Sequence, residues 1–266
     1  MLVKIKNLLY FFYYRFLIKV NPLIKQQRRN PLSIPIIIIS FNQLFYLEKL
    51  INFLLNRKFE NIIIIDNNST YPPLLDYLKK IKSKVKIEFM DKNGGHKVFF
   101  NNKELLEKYG KGYYVITDAD IVPNDNLPEN FMNILISKMD KFFRGINKIG
   151  FALKIDDIPD YYPLKDKVIN WEKQFWKYNL EDNIYKAAID TTFALYKPNY
   201  PKKFNNKQFV EGIRLSENFE ARHGGWYIDE NNISEETKYY FENATNSSSW
   251  KFNESGNLDD KLNDVY

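Results

Sequence analysis

Residues 114–124 read YVITDADIVPN: four strand-forming residues, then Asp118 and Asp120 with only Ala119 between them, then apolar residues and a proline. Two carboxylates one residue apart at a strand end repel one another. A bound divalent cation is the usual way to make that arrangement favourable. Magnesium or manganese would take such oxygens, fill its shell with water and bridge the phosphates of a nucleotide. A solvated turn is the plain alternative, because Asp-x-Asp often arises by chance. What surrounds the motif therefore decides its reading.

Upstream, SIPIIIIS (33–40) is a short β-branched run of the kind a parallel sheet covers on both faces. QLFYLEKLINFLL (43–55) repeats Leu44, Leu47, Leu50, Ile51 and Leu54 on one helical face. NIIIIDNNST (61–70) predicts a second buried strand ending in turn residues. PPLLDYLKKIKS (72–83) predicts a helix with prolines in its first turn, and VKIEFM (85–90) a third strand. HKVFFNNKELLEKY (96–109) reads as one more helix before the strand that carries the carboxylates. The β-α-β-α-β-α-β series predicts an α/β domain with a mainly parallel sheet.

In such sheets ligands sit outside the carboxyl ends of the strands. The four strands end in Ser40-Phe41-Asn42, Asp66-Asn67-Asn68-Ser69-Thr70, Asp91 to His96, and Asp118-Ala119-Asp120. Any one of these would pass as a turn. Together they aim polar groups at one crevice.

In order from Ile34 to Asp120, IPIIIISFNQ, IIIIDNNST and TDAD resemble the first strand, the Val-Asp-Asn-x-Ser-Thr segment and the DxD motif of GT-A fold glycosyltransferases, above all the family-two bacterial sugar transferases. The resemblance implies a Rossmann-like GT-A sheet flanked by helices. It implies that Ser40, Asn42 and Asp66 contact the nucleotide of a sugar donor, with Asn93 and Gly94 along it. It also implies that Asp118, Ala119 and Asp120 bracket the donor and a Mn2+ or Mg2+ ion. No G-x-G-x-x-G or G-x-x-x-x-G-K-[ST] is present, so an NAD enzyme and a P-loop NTPase are poor readings.

The second half is expected to hold the acceptor side. FALKIDDIPDYYP (151–163) reads as a strand ending in an acidic loop with Asp156, Asp157 and Asp160. VINWEKQFWKYNL (168–180) reads as a helix whose Trp171, Phe175 and Trp176 suit either core packing or a sugar platform. AAIDTTFALY (187–196) sets Asp190 at the start of an apolar strand, where an unpaired charge is costly. The family pattern often supplies the base from a Glu-Asp pair. Here the pair is Glu181-Asp182, in a charged stretch, so Asp190 is the first choice for general base and Asp157 the second. RHGGWYID (222–229) offers His223 as a metal ligand or diphosphate contact, as a C-terminal His does in many GT-A enzymes, and Lys251 is a further diphosphate candidate.

Composition bounds the rest. The absence of cysteine among 266 residues excludes disulfides, zinc-thiolate sites and thiol nucleophiles, and is compatible with a reducing compartment. The net charge of +6 does not signal nucleic acid, because it belongs to one arm. Residues 1–30 carry Lys4, Lys6, Arg15, Lys19, Lys25, Arg28 and Arg29 with no acidic residue, leaving 32 basic and 33 acidic groups for the remainder. Its uncharged run Asn7–Tyr14 is far short of the ~20 residues that span a bilayer. An aromatic, basic helix of this kind lies on an anionic membrane surface or packs on its own domain.

The chain is accordingly read as an amphipathic arm (1–30) and a GT-A domain (31–266). The domain comprises a nucleotide-binding half (31–122), an acceptor half (123–233) and a C-terminal segment (234–266). The expected activity is metal-dependent transfer of a sugar, with UDP as the expected carrier, to a glycan or lipid-linked glycan of capsule or lipopolysaccharide type, at the cytoplasmic face of a membrane. Two other classes share the layout: a sugar nucleotidyltransferase, whose Gly-rich basic loop SFNQ lacks, and a catalytically silent glycan-binding scaffold.

Overall fold

The computed structural model describes residues 2–198, 200, 211–244 and 252. The isoleucine runs form strands as their β-branching favours. β1 (Ile36–Ser40), β2 (Ile62–Asp66), β3 (Lys86–Phe89) and β4 (Tyr114–Asp118) lie parallel in the order β3-β2-β1-β4. Every residue of β1 and β2 is buried because helices cover both faces. Ile36, Ile38, Ile62 and Ile64 pack toward α3 (Phe45–Asn56) and α4 (Pro72–Ile81), while Ile37, Ile39, Ile63 and Ile65 pack toward α5 (Val98–Asn101) and α6 (Lys103–Tyr109). Ser40 pairs with Asp66 and Ile39 with Asp118, so three polar strand ends share one edge.

The sheet continues beyond β4 as β9 (Ala194–Tyr196), β6 (Lys148–Leu153), β10 (Glu211–His223), β8 (Ile184–Ala188) and β7 (Asn179–Glu181). β9 is antiparallel to both β4 and β6. β10 runs parallel to β6, shifts register between Leu215 and Glu220, and ends antiparallel to β5 (Ile121–Pro123), where His223 pairs with Ile121. Helices α7 (Phe131–Phe142), α8 (Lys165–Glu172) and α9 (Glu235–Asn243) complete the layers. This mixed sheet with a parallel centre has the Rossmann-like GT-A layout.

Three local expectations are refined. The helix expected over 96–109 is broken at Asn102, whose side chain accepts the amides of Glu104 and Leu105 at 3.0 and 3.2 Å and so caps α6 instead of continuing α5. The apolar strand expected to start at Asp190 begins only at Ala194, after a bend at 190–193 that carries the chain from β8 to β9. The helix expected over 168–180 is α8 followed by a 3-10 turn, Lys173–Trp176.

The arm forms α1 (Leu2–Val20) and α2 (Pro22–Arg29), and it docks. Tyr14 is buried against Phe143, ring centroids 3.7 Å apart, and its hydroxyl meets Tyr113 at 2.6 Å and donates to Asp140. Arg28 grips Asp140 at 2.6 and 3.0 Å, and Gln27 both donates to and accepts from the Tyr113 backbone at 2.8 Å. On the opposite face Ile5, Leu8, Leu9, Phe12, Tyr13, Phe16 and Val20 are exposed at spacings of three and four. No helix among the described residues is long and apolar enough to cross a membrane.

Candidate functional site

Three loops at the carboxyl edge are stitched together by short polar side chains. Asn42, with φ 51, accepts the amides of Thr70 and Tyr71 on its Oδ1 at 2.7 and 3.0 Å, and its own amide donates to Ser69 Oγ at 3.0 Å. Asp66 Oδ2 accepts the Ser69 amide at 3.1 Å. Asn67 reaches the next loop, accepting from the Gly94 amide at 2.9 Å and donating to the Gly95 carbonyl at 3.1 Å, while Asn93 Oδ1 accepts the Gly95 amide at 2.8 Å.

Ser40, Asn42 and Asp66 are thus buried at the base of the cleft, whereas Phe41, Gln43, Asn67, Asn93, Gly95 and His96 line it. Ser40 Oγ, Asn42 Nδ2 and Asp66 Oδ1 are buried without a hydrogen-bond partner. Buried polar atoms without a protein partner are rare in native folds, and three lie together here. Burial raises the Asp66 pKa, and the Ser69 contacts oppose the rise. Gly94 does not line the cleft; a Cβ on it would stand 3.0 Å from Val98.

The carboxylate pair lies on the cleft floor with Ala119 between. Asp118 accepts a hydrogen bond from the Thr191 hydroxyl, and its amide donates to the Thr191 carbonyl at 2.7 Å. Burial, the neighbouring Asp120 and, to a lesser degree, Asp190 push the Asp118 carboxyl well above the usual carboxylate range, against the Thr191 bond. A cation here would relieve that cost.

The register of β5 against β10 brings His223 to this floor, and the Gly224 amide donates to the Asp120 carbonyl at 2.7 Å. His223 Nδ1 is 3.6 Å from Asp120 Oδ2, buried and without a hydrogen-bond partner, and its ring stacks on Trp226 with centroids 4.9 Å apart. Gly224 is required where it stands, because a Cβ would fall 2.3 Å from the Tyr46 ring.

Among the described residues no three His, Cys, Asp or Glu side chains form a complete metal cluster. What is present is an open donor set: the Asp120 carboxylate, the orphaned imidazole nitrogen of His223 and the nearby Asp118. This set fits a hard divalent ion that keeps positions for water and phosphate oxygens.

The remaining candidates separate. Asp190 is exposed on the bend at 190–193, with its carbonyl accepting from Lys148 Nζ at 2.8 Å, and its charge bears on both Asp118 and His96. Burial lowers the His96 pKa and Asp190 opposes that shift. Asp157 is committed elsewhere: its carboxylate accepts Arg222 Nε at 2.7 Å and the Tyr227 hydroxyl at 2.5 Å. Burial would raise the Asp157 pKa, but the Tyr227 and Arg222 bonds outweigh it and hold the carboxyl below the ordinary range. Glu181 pairs with Lys138 and Lys141 away from the cleft. Lys251 lies outside the described residues. Trp171 and Phe175 pack edge to face, Phe175 lies under the Arg214 guanidinium at 4.1 Å, and Trp176 meets Tyr185.

Sequence reasoning missed the roof. Glu236, Thr237, Tyr240 and Phe241 of α9 line the cleft from above. Glu236 accepts the Phe45 amide at 3.1 Å, and the Tyr239 hydroxyl meets Thr70 Oγ1 at 3.0 Å. Ser234 caps α9 by accepting the Thr237 amide, and the contact of Glu236 with Phe45, 191 residues back, has no local signal in the sequence.

The profile described as Glycosyl transferase family 2 matches residues 36–197. No curated protein sequence matches the chain. Among solved structures, TarS 1–349 of S. aureus is 13% identical over 79% of this chain and 68% of its own, with a TM-score of 0.44. The mannosyltransferase PcManGT from Pyrobaculum calidifontis, solved in complex with GDP-Man and Mn2+, is 11% identical over 82% of this chain and 64% of its own, at 0.42. A UDP-glucose pyrophosphorylase complexed with UDP-glucose is 10% identical over 79% of this chain and 99% of its own, at 0.40.

Proposed function

The chain belongs to glycosyl transferase family 2 and is a glycosyltransferase, and on that premise we propose that it moves a sugar from a UDP-linked donor to a hydroxyl of a glycan or lipid-linked glycan during surface polysaccharide synthesis. The observation that carries this reading is the meeting of Asp118, Asp120 and His223 on the floor of one cleft at the carboxyl edge of the sheet.

Asp120 and His223, with Asp118 beside them, would hold Mn2+ or Mg2+, which when bound supplies positive charge against the donor diphosphate. Asn67 and Asn93 fix the loops along the nucleotide, and the unpaired atoms of Ser40, Asn42 and Asp66 back the same wall. Asp190 serves as general base. It takes the proton of the acceptor hydroxyl while that oxygen bonds to the anomeric carbon and the bond from that carbon to the diphosphate oxygen breaks. Asp190 is preferred to Asp157 because both oxygens of Asp157 are occupied by Arg222 and Tyr227. The exposed apolar stripe of α1, on an arm with seven basic and no acidic residues, suits the cytoplasmic face of an anionic membrane and an acceptor carried there.

Calorimetric titration of UDP- and GDP-sugars, with and without Mn2+, into the wild type and the Asp118→Ala/Asp120→Ala variant tests the reading. Metal-dependent binding of a UDP-sugar, lost in the variant, is expected. Binding of no donor would leave a silent scaffold. Formation of the nucleotide-sugar from nucleoside triphosphate and sugar phosphate would favour a nucleotidyltransferase.

A further inference from the structure

Lys148 is the first residue of β6 and is wholly buried, in a sheet whose other inner positions are largely apolar. Removing an ammonium from water costs several kcal/mol, and an apolar side chain of similar length would avoid that cost. The surrounding residues nevertheless make room for it. Gly212 on β10 is the residue opposite, where a Cβ would stand 3.3 Å from Lys148 Cγ and 3.0 Å from Ile189. The amine donates at 2.8 Å to the Asp190 carbonyl and at 2.8 Å to the Tyr196 hydroxyl. Tyr196 in turn stacks on Tyr114 of β4, centroids 5.0 Å apart.

These contacts add a side-chain bond at residue 190 to a segment whose backbone is otherwise held by two bonds, from the Asp118 amide to the Thr191 carbonyl at 2.7 Å and from the Phe151 amide to the Phe193 carbonyl at 3.1 Å. Residues 190–193 cross between β8 and β9 outside the paired registers. Lys148 grips this bend at residue 190, and Asp118 grips it at residue 191 through the Thr191 hydroxyl and carbonyl. The Asp190 side chain is left exposed between the two grips. We infer that Lys148 is a positioning residue, which fixes the bend so that the Asp190 carboxylate is held beside Asp118 where the acceptor hydroxyl enters. The catalytic half of this inference rests on the reading of Asp190 as general base. Burial lowers the Lys148 pKa to about 7 against the pull of Asp190.

The test uses the full chain and the variants Lys148→Met, Tyr196→Phe, Asp190→Asn and Lys148→Met/Asp190→Asn. Hydrogen exchange of the Asp118 amide, which is bound to the Thr191 carbonyl, reads the bend directly and needs no substrate. In Lys148→Met that amide is expected to exchange at least about 10-fold faster while the β1 and β2 amides stay protected. Tyr196→Phe, which keeps the lysine, should shift it less in the same direction and serves if Lys148→Met does not fold. Nucleotide release from a panel of UDP- and GDP-sugars with Mn2+ should show kcat reduced about 10²-fold in Lys148→Met with donor KM little changed. Asp190→Asn should mask that loss, so that the double variant is no slower than Asp190→Asn alone. Unchanged Asp118 exchange in the lysine and tyrosine variants would overturn the inference, as would additive losses in the double variant. Faster exchange with full turnover in Asp190→Asn would instead remove the reading of Asp190 as base and leave the grip on the bend intact.

Discussion

The two ends of β4 differ in how their polar groups are treated. At the amino end, Tyr113, Tyr14, Arg28, Gln27 and Asp140 satisfy one another in a closed network under the docked arm. At the carboxyl end, the strand stops at Asp118 among the orphaned atoms Ser40 Oγ, Asn42 Nδ2, Asp66 Oδ1 and His223 Nδ1. A buried polar group without a partner destabilises a fold by about 1–3 kcal/mol. The same sheet therefore has one end whose polar groups satisfy one another and another where buried polar atoms find no partner within the protein.

The largest expected effect breaks the carboxyl end alone. Asp120→Ala should lower the rate of nucleotide release about 10²–10³-fold, measured with Mn2+, while Tm stays level or rises because a poorly compensated charge has gone. The reverse signature belongs to the other end. Tyr14→Ala leaves a cavity beside Phe143 and removes one hydroxyl partner each from Tyr113 and Asp140, which keep Arg28, so chemical denaturation should show a loss of about 3–5 kcal/mol with turnover per folded molecule unchanged.

A third experiment separates the two faces of α1. Phe12→Glu/Phe16→Glu alters only exposed positions and should change stability by no more than about 0.5 kcal/mol. The same pair should reduce flotation with phosphatidylglycerol-containing vesicles by at least about 10-fold. Equal flotation of wild type and variant would refute the membrane role of that stripe.

The smallest effect is a slope. Burial lowers both Lys148 and Lys197 to about 7, against Asp190 for the first and Glu211 for the second. Between pH 7 and 9 the unfolded chain thus binds more protons than the folded one at these two sites, and unfolding free energy should rise with pH across that window. Lys197→Met, which removes the amine beside Phe143 at the arm end, should flatten the rise, and Lys148→Met should flatten it separately.

Much of the parallel half was legible because isoleucine runs bounded by Asn, Asp and Ser leave few alternatives to buried strands. Asp118-Ala119-Asp120 was legible for the same reason: the strand before it gave the motif its context. Loop interiors were less so. Asn42 and its neighbour Phe41 are equally plausible as cleft residues by composition, and the bonds from Asn42 to residues 70 and 71 are what turn it inward. Asp157 looked available as a base because Arg222, 65 residues away, is invisible to a local reading. His223 reaches Asp120 through the pairing of β10 with β5, which no periodicity encodes. The arm defeated the choice between membrane and domain because it is apolar on two opposite faces, one of them already used.

The roof of the cleft has a consequence for how the protein comes into being. Its floor is complete once Trp226 has been made, but α9 closes on Phe45 and Thr70 across more than 160 residues of chain. Such distant contacts form late, since the intervening chain must be ordered first. During synthesis the nascent chain would therefore carry an open, acidic groove exposed to cellular cations and nucleotides well before it is covered. Were either captured at that stage, α9 would close over a site already filled.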